Sequence, residues 1–115
     1  MIEQRRHTRA PMQVTVAFVV KGSTEVGEGT STDISVGGMF VQSTKPAPFG
    51  AEVTVRARLP GQADESVLPG VVRWTRPDGM GVQFGLLGAK ETHLITEILR
   101  KHEEATEEKP PKSRR

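Results

Sequence analysis

Turn-forming residues interrupt this chain so often between positions 12 and 86 that no long helix can grow there. The stretches between the interruptions are short and rich in β-branched residues, which favours strands. Residues 12–20 (MQVTVAFVV) alternate and then run apolar, and Lys21, Gly22, Ser23 and Thr24 supply a hairpin turn. Residues 25–34 read as a more polar return strand with two glycines, and 35–38 as a turn. A third strand occupies 39–42. After a loop holding Pro46, Pro48 and Gly50, residues 52–59 (EVTVRARL) alternate cleanly, as a half-exposed strand does. Residues 66–74 and 81–86 complete the set, separated by Pro77, Asp78 and Gly79. Six short strands with this punctuation predict a small antiparallel barrel or sandwich, and barrel closure would remove the exposed edges. From Ala89 the period lengthens: Leu94, Ile95, Ile98 and Leu99 share one face at helical spacing. That segment reads as one amphipathic helix laid across a barrel opening. Beyond about Ala105, charged residues surround Pro110 and Pro111 and read as a disordered tail.

Several kinds of chemistry lack their residues. Cysteine is absent, which excludes disulfides, thiolate nucleophiles and thiolate metal sites. The three histidines, His7, His93 and His102, stand in no metal-ligand spacing, so no metal and no cofactor is expected. Gly79, Met80 and Gly81 lack the Lys-Ser/Thr that a phosphate loop requires. No catalytic triad stands out, and the chain reads as a non-enzyme. No apolar run is long enough for a membrane span, and residues 1–9 lack the apolar core of a secretory signal, which points to the cytoplasm. A net charge of +2 gives no ground for nucleic-acid binding, and aromatics at 4% offer few stacking platforms for single strands. Trp74, the only tryptophan, sits late in an apolar strand and reads as a core or barrel-mouth anchor rather than a ligand platform.

Two clusters remain. In the first, Arg5, Arg6, His7, Thr8 and Arg9 concentrate positive charge, with Arg5 and Arg9 spaced as RxxxR. Alone, it is indistinguishable from a solvated basic arm. The second is DxSxxG at a strand end, from Asp33 through Ser35 to Gly38. Alone, it could be an Asx or Ser turn with glycines at positive φ. Together they suit one ligand class. Guanidinium groups bind phosphate bidentately and also match the O6/N7 edge of guanine. A carboxylate accepts from guanine N1–H and N2–H, a hydroxyl can accept or donate, and glycine lets backbone approach a flat base. Phosphate alone would not call for Asp33, whose charge repels it.

RxxxR near the N-terminus, followed after one hairpin by DxSxxG, resembles the signature of PilZ domains, bacterial receptors for cyclic di-GMP. The resemblance extends through Gly38-Met39-Phe40-Val41, the loop with Pro48 and Gly50, Gly70-Val71-Val72-Arg73-Trp74 and Gly79-Met80-Gly81-Val82-Gln83-Phe84, covering residues 5–100. It implies a six-stranded antiparallel β-barrel with one C-terminal α-helix. A basic arm over 1–11, the barrel and helix over 12–105 and a charged tail over 106–115 are expected. By the same resemblance Arg5 and Arg9 grip phosphates and guanine edges, and Asp33 and Ser35 hydrogen-bond a guanine. Gly38 keeps the turn open, and Arg6 adds an auxiliary phosphate contact. Gln4 stands where the family sets whether one ligand or a stacked pair is bound, and both stoichiometries stay open. The expected function is a cyclic di-GMP receptor acting on a protein partner in motility, pilus or exopolysaccharide control. The alternatives are a PilZ-type interaction module that works without nucleotide and a single-strand-binding barrel.

Overall fold

Successive residues of a strand point to opposite faces, so each alternating run must lay one face against a core. The computed structural model describes residues 9–108, and side chains as far as 103. It contains β1 (Ala10–Val20), β2 (Val26–Ser35), β3 (Gly38–Gln42), β4 (Glu52–Ala57), β5 (Ser66–Arg76), β6 (Gly79–Phe84) and α1 (Ala89–Glu108). The strands close into a barrel in the order β1-β2-β3-β6-β5-β4. Every neighbouring pair is antiparallel, including β1 with β4, whose pairing leaves no open edge. The expected mainly-β barrel with a C-terminal helix is the fold observed.

Inward positions form one apolar core. Val16, Ile34, Met39, Val41, Val55, Leu68, Val72 and Met80 are at most 2% exposed. Ile95 and Leu99 of α1 join the same cluster, with Leu94 and Ile98 packed at its margin. Ile95 faces Val36 of the β2–β3 turn, while Leu94 and Ile98 face Pro60, Gly61 and Gln62 of the β4–β5 connection. Antiparallel pairing brings both connections to one end of the barrel, the end where β1 begins. The helix therefore lies across that end, and its apolar stripe replaces solvent there.

Strand bounds differ from the sequence reading by a few residues. β1 starts at Ala10, because Ala10 pairs with Ile34 and is itself buried. β4 stops at Ala57, though Leu59 still buries its side chain. β5 and β6 run further towards their turn, to Arg76 and from Gly79, because Arg76 pairs with Gly79. The helix continues to Glu108. The readings on residues 1–8 and 109–115 lie outside the described residues.

Candidate nucleotide site on the outer barrel face

Strict alternation would turn Asp33 inward. Ser31 and Ile34, three residues apart, are both fully buried, so one extra residue must stand between them. The register moves from Ser31 opposite Val41 to Asp33 opposite Phe40, which makes Thr32 that residue. The bulge swings Asp33 to the outer face and leaves Ile34 inside. β1 shifts register at the same level, between Pro11 and Val14.

Arg9 reaches across to meet Asp33. Its Nε and Nη2 donate to Asp33 Oδ1 at 3.1 and 2.6 Å, and its Nη1 donates to Ser35 Oγ at 3.3 Å. One guanidinium thus joins the last residue before β1 to both polar members of the DxSxxG turn. Ser35 is largely buried and is held by the turn itself: Oγ accepts from Gly37 N and donates to Gly38 O. Among the sequence-derived site residues, Arg9, Asp33, Ser35 and Gly38 come together around one hollow. Arg5 and Arg6 lie outside the described residues.

Gly38 is where the reason for a glycine changes. Neither Gly37 nor Gly38 has positive φ, and Gly38 is the buried first residue of β3. A Cβ there would overlap the backbone carbonyl of Val82 on β6. The glycine lets β3 and β6 close on each other; it does not serve to open the turn.

The hollow extends well past these residues. It has a volume of about 660 Å³ and is also lined by Phe40, Arg73, Trp74, Arg76, Gly81 and Gln83. Phe40, Gly81 and Trp74 share one cross-strand row with Asp33. The rings of Phe40 and Trp74 stack with centroids 5.3 Å apart and planes 15° from parallel. They can do so because β6 carries no side chain between them: a Cβ on Gly81 would overlap the Trp74 indole. Arg76 lies over both rings, 5.0 Å from the Trp74 centroid and 5.3 Å from that of Phe40, while its Nε meets Asp78 Oδ1 at 3.4 Å. The cation is drawn to the electron-rich ring faces.

Trp74 corrects the sequence reading. It is 43% exposed on the outer face, and it anchors neither the core nor the mouth of the barrel. The cause is again a bulge. The register passes from Val72 opposite Val82 to Trp74 opposite Gly81, leaving Arg73 as the extra residue. Val72 is inward and fully buried; without Arg73 in excess, Trp74 would follow it inside.

Chemically the hollow offers an acceptor carboxylate, a hydroxyl, an exposed aromatic face and three described guanidinium groups, Arg9, Arg73 and Arg76. Set against the single carboxylate of Asp33 lining it, those cations favour an anion, and the rings favour a planar base. The comparisons give the family: the model described as PilZ domain matches residues 3–101, and the chain belongs to that family. PilZ domains are generally cyclic di-GMP receptors, and they bind without catalysing.

Among solved structures, the chain is similar to the PilZ domain of CeSA from a cellulose-synthesizing bacterium, at 20% identity and a TM-score of 0.66. That match covers 83% of this chain and 97% of the other. It is also similar to the PilZ domain of YcgR from Escherichia coli, described with c-di-GMP, at 14% identity and a TM-score of 0.68, covering 95% and 98%. A third likeness is to the Bacillus subtilis inhibitor of motility MotI/DgrA, at 20% identity and a TM-score of 0.70, covering 94% of this chain and 53% of that one. At these identities the likeness speaks for the fold. No curated protein matches the chain. Among the described residues no helix is long and apolar enough to cross a membrane.

Proposed function

We propose that this chain is a cyclic di-GMP receptor that acts on a protein partner, with no chemistry of its own. The supporting observation is the single guanidinium of Arg9 held by both Asp33 and Ser35 at the rim of a hollow floored by aromatic rings. A phosphate or guanine needs the cation, guanine N1–H and N2–H need the carboxylate, and a purine face needs the ring. Arg9, Asp33, Ser35 and Gly38 form the described part of the proposed site; Arg5 and Arg6 are its proposed partners on the preceding segment. Both bonds from Arg9 to Asp33 end on Oδ1, which leaves Oδ2 to accept. A guanine that takes both oxygens through N1–H and N2–H competes with Arg9 for Oδ1 and frees the guanidinium for the ligand.

The description of YcgR's domain with c-di-GMP supports the choice of ligand. Of the proposed processes, motility, pilus or exopolysaccharide control, an inhibitor of motility and a domain from a cellulose-synthesizing bacterium among the similar folds favour the first and the last. Calorimetric titration of the full chain with cyclic di-GMP, with GTP and single-stranded RNA as competitors, tests the reading. Saturable binding of cyclic di-GMP that neither competitor displaces is expected. Absence of binding would leave a PilZ-type interaction module that works without nucleotide.

A further inference from the structure

The far side of the hollow holds a cation that the motifs do not predict. Arg73 is the extra residue of the β5 bulge, so it and Trp74, although consecutive, both reach the outer face. Its Nε donates to Gln83 Oε1 on β6 at 2.6 Å. Three other described arginines around the barrel pair with acids: Arg9 with Asp33, Arg56 with Glu65, Arg76 with Asp78. Arg58, away from the hollow, has no ion pair among the described residues. Arg73 has no carboxylate partner among the described residues; a neutral amide fixes its plane without neutralising it. The bond to Gln83 uses Nε–H and leaves the terminal N–H groups of the fork to donate.

Asp33 lies on β2 and Arg73 on β5, three strands away around the sheet, or about 14 Å at ordinary strand spacing. The exposed Trp74 ring lies beside Arg73, and the row Asp33, Phe40, Gly81, Trp74 connects the two flanks. The flanks are chemically opposite. An acceptor carboxylate suits the N1–H and N2–H edge of guanine, and a fixed guanidinium fork suits the O6 and N7 acceptors of the other edge. We infer that Arg73, oriented by Gln83 and backed by Trp74, forms a second base subsite that reads guanine through O6 and N7. The inference rests on the receptor reading above and adds a specificity it does not contain. Adenine carries an amino donor where guanine has O6, so a second base of adenine would face the fork donor to donor.

The discriminating probe is the mixed cyclic guanine–adenine dinucleotide, titrated beside cyclic di-GMP and cyclic di-AMP. With guanine on Asp33, the mixed ligand must place adenine against Arg73. The full chain should prefer cyclic di-GMP to the mixed ligand by about tenfold to a hundredfold, the range of one good bidentate contact. Arg73→Met, which keeps the aliphatic stem, should bring that ratio close to one. Cyclic di-AMP should stay weak, because Asp33 is intact. Gln83→Leu should reduce the ratio, because the fork then loses the acceptor that orients it. An unaltered ratio in Arg73→Met, or equal binding of the two ligands by the unmodified chain, would overturn the second subsite and leave the receptor reading standing. No binding of cyclic di-GMP by the unmodified chain would remove both.

Discussion

The two flanks of the hollow are held together by different kinds of contact. On the β1–β2 flank polar groups satisfy one another: Arg9 bonds to Asp33 and Ser35, and Ser35 bonds to its own turn. On the β5–β6 flank Arg76 lies over two rings and meets Asp78, Arg73 bonds to Gln83, and Trp74 stays exposed. A ligand on the first flank must exchange hydrogen bonds already made. On the second it covers rings that water now touches. The first flank can thus be selective at modest net gain; on the second the rings add affinity, and the selectivity proposed there belongs to Arg73 alone.

The largest contrast should come from adding one side chain to each flank. Gly38→Val forces a Cβ into the Val82 carbonyl, a backbone atom that cannot turn aside. We expect a loss of about 3 kcal/mol in urea unfolding, at the upper end for overpacking. Gly81→Ala meets only the Trp74 side chain, which can swing away. Its stability should fall by less than about 1 kcal/mol, with a clear change in tryptophan emission. Equal losses in the two variants would break the comparison.

Ligand affinity gives the next contrast. Arg9→Ala or Asp33→Ala should each weaken cyclic di-GMP binding by roughly 2–3 kcal/mol, the scale of a charge-assisted contact. Arg5→Ala should fall in the same range. Raising salt should weaken binding to the unmodified chain, since screening shortens the reach of the arginines. Wild-type titration curves for Arg9→Ala and Asp33→Ala together would end the site assignment.

Trp74→Leu should cost about 1–2 kcal/mol of affinity through lost stacking, with little dependence on salt. Because Trp74 is the only tryptophan, cyclic di-GMP should also change the intrinsic fluorescence of the unmodified chain. Unchanged emission at saturating ligand would confine the ligand to the β1–β2 flank.

The smallest effect concerns stability without ligand. The Arg9 and Asp33 side chains are 46% and 32% exposed, so their ion pair should contribute at most about 1 kcal/mol. A double-mutant cycle on thermal unfolding would measure it. A coupling well above that would mean the pair is structural, and the polar flank would then owe its arrangement to folding.

The sequence by itself carried the alternation and its interruptions, hence six strands, the barrel and the helical stripe through Ile95 and Leu99. It carried the Asp33 and Ser35 part of the DxSxxG turn as well, because Ser35 bonds within its own turn; the glycine at Gly38 answers instead to Val82 on β6. What it hid was the direction of side chains beyond a bulge. One extra residue reverses every later side chain, and bulges leave no reliable composition signal. Thr32 looks like any strand residue, yet it decides that Asp33 faces out. Arg73 does the same for Trp74, which alternation sends into the core. Gly81 reads as a turn or strand glycine until the indole is seen lying against it. Register is settled between strands far apart in sequence, by which pairing buries Val72, Ile34 and Met80 together. The tertiary structure alone therefore decided that an aromatic and cationic face stands beside the motif, since only the pairing of β3 with β6 brings β6, and β5 beyond it, to that side.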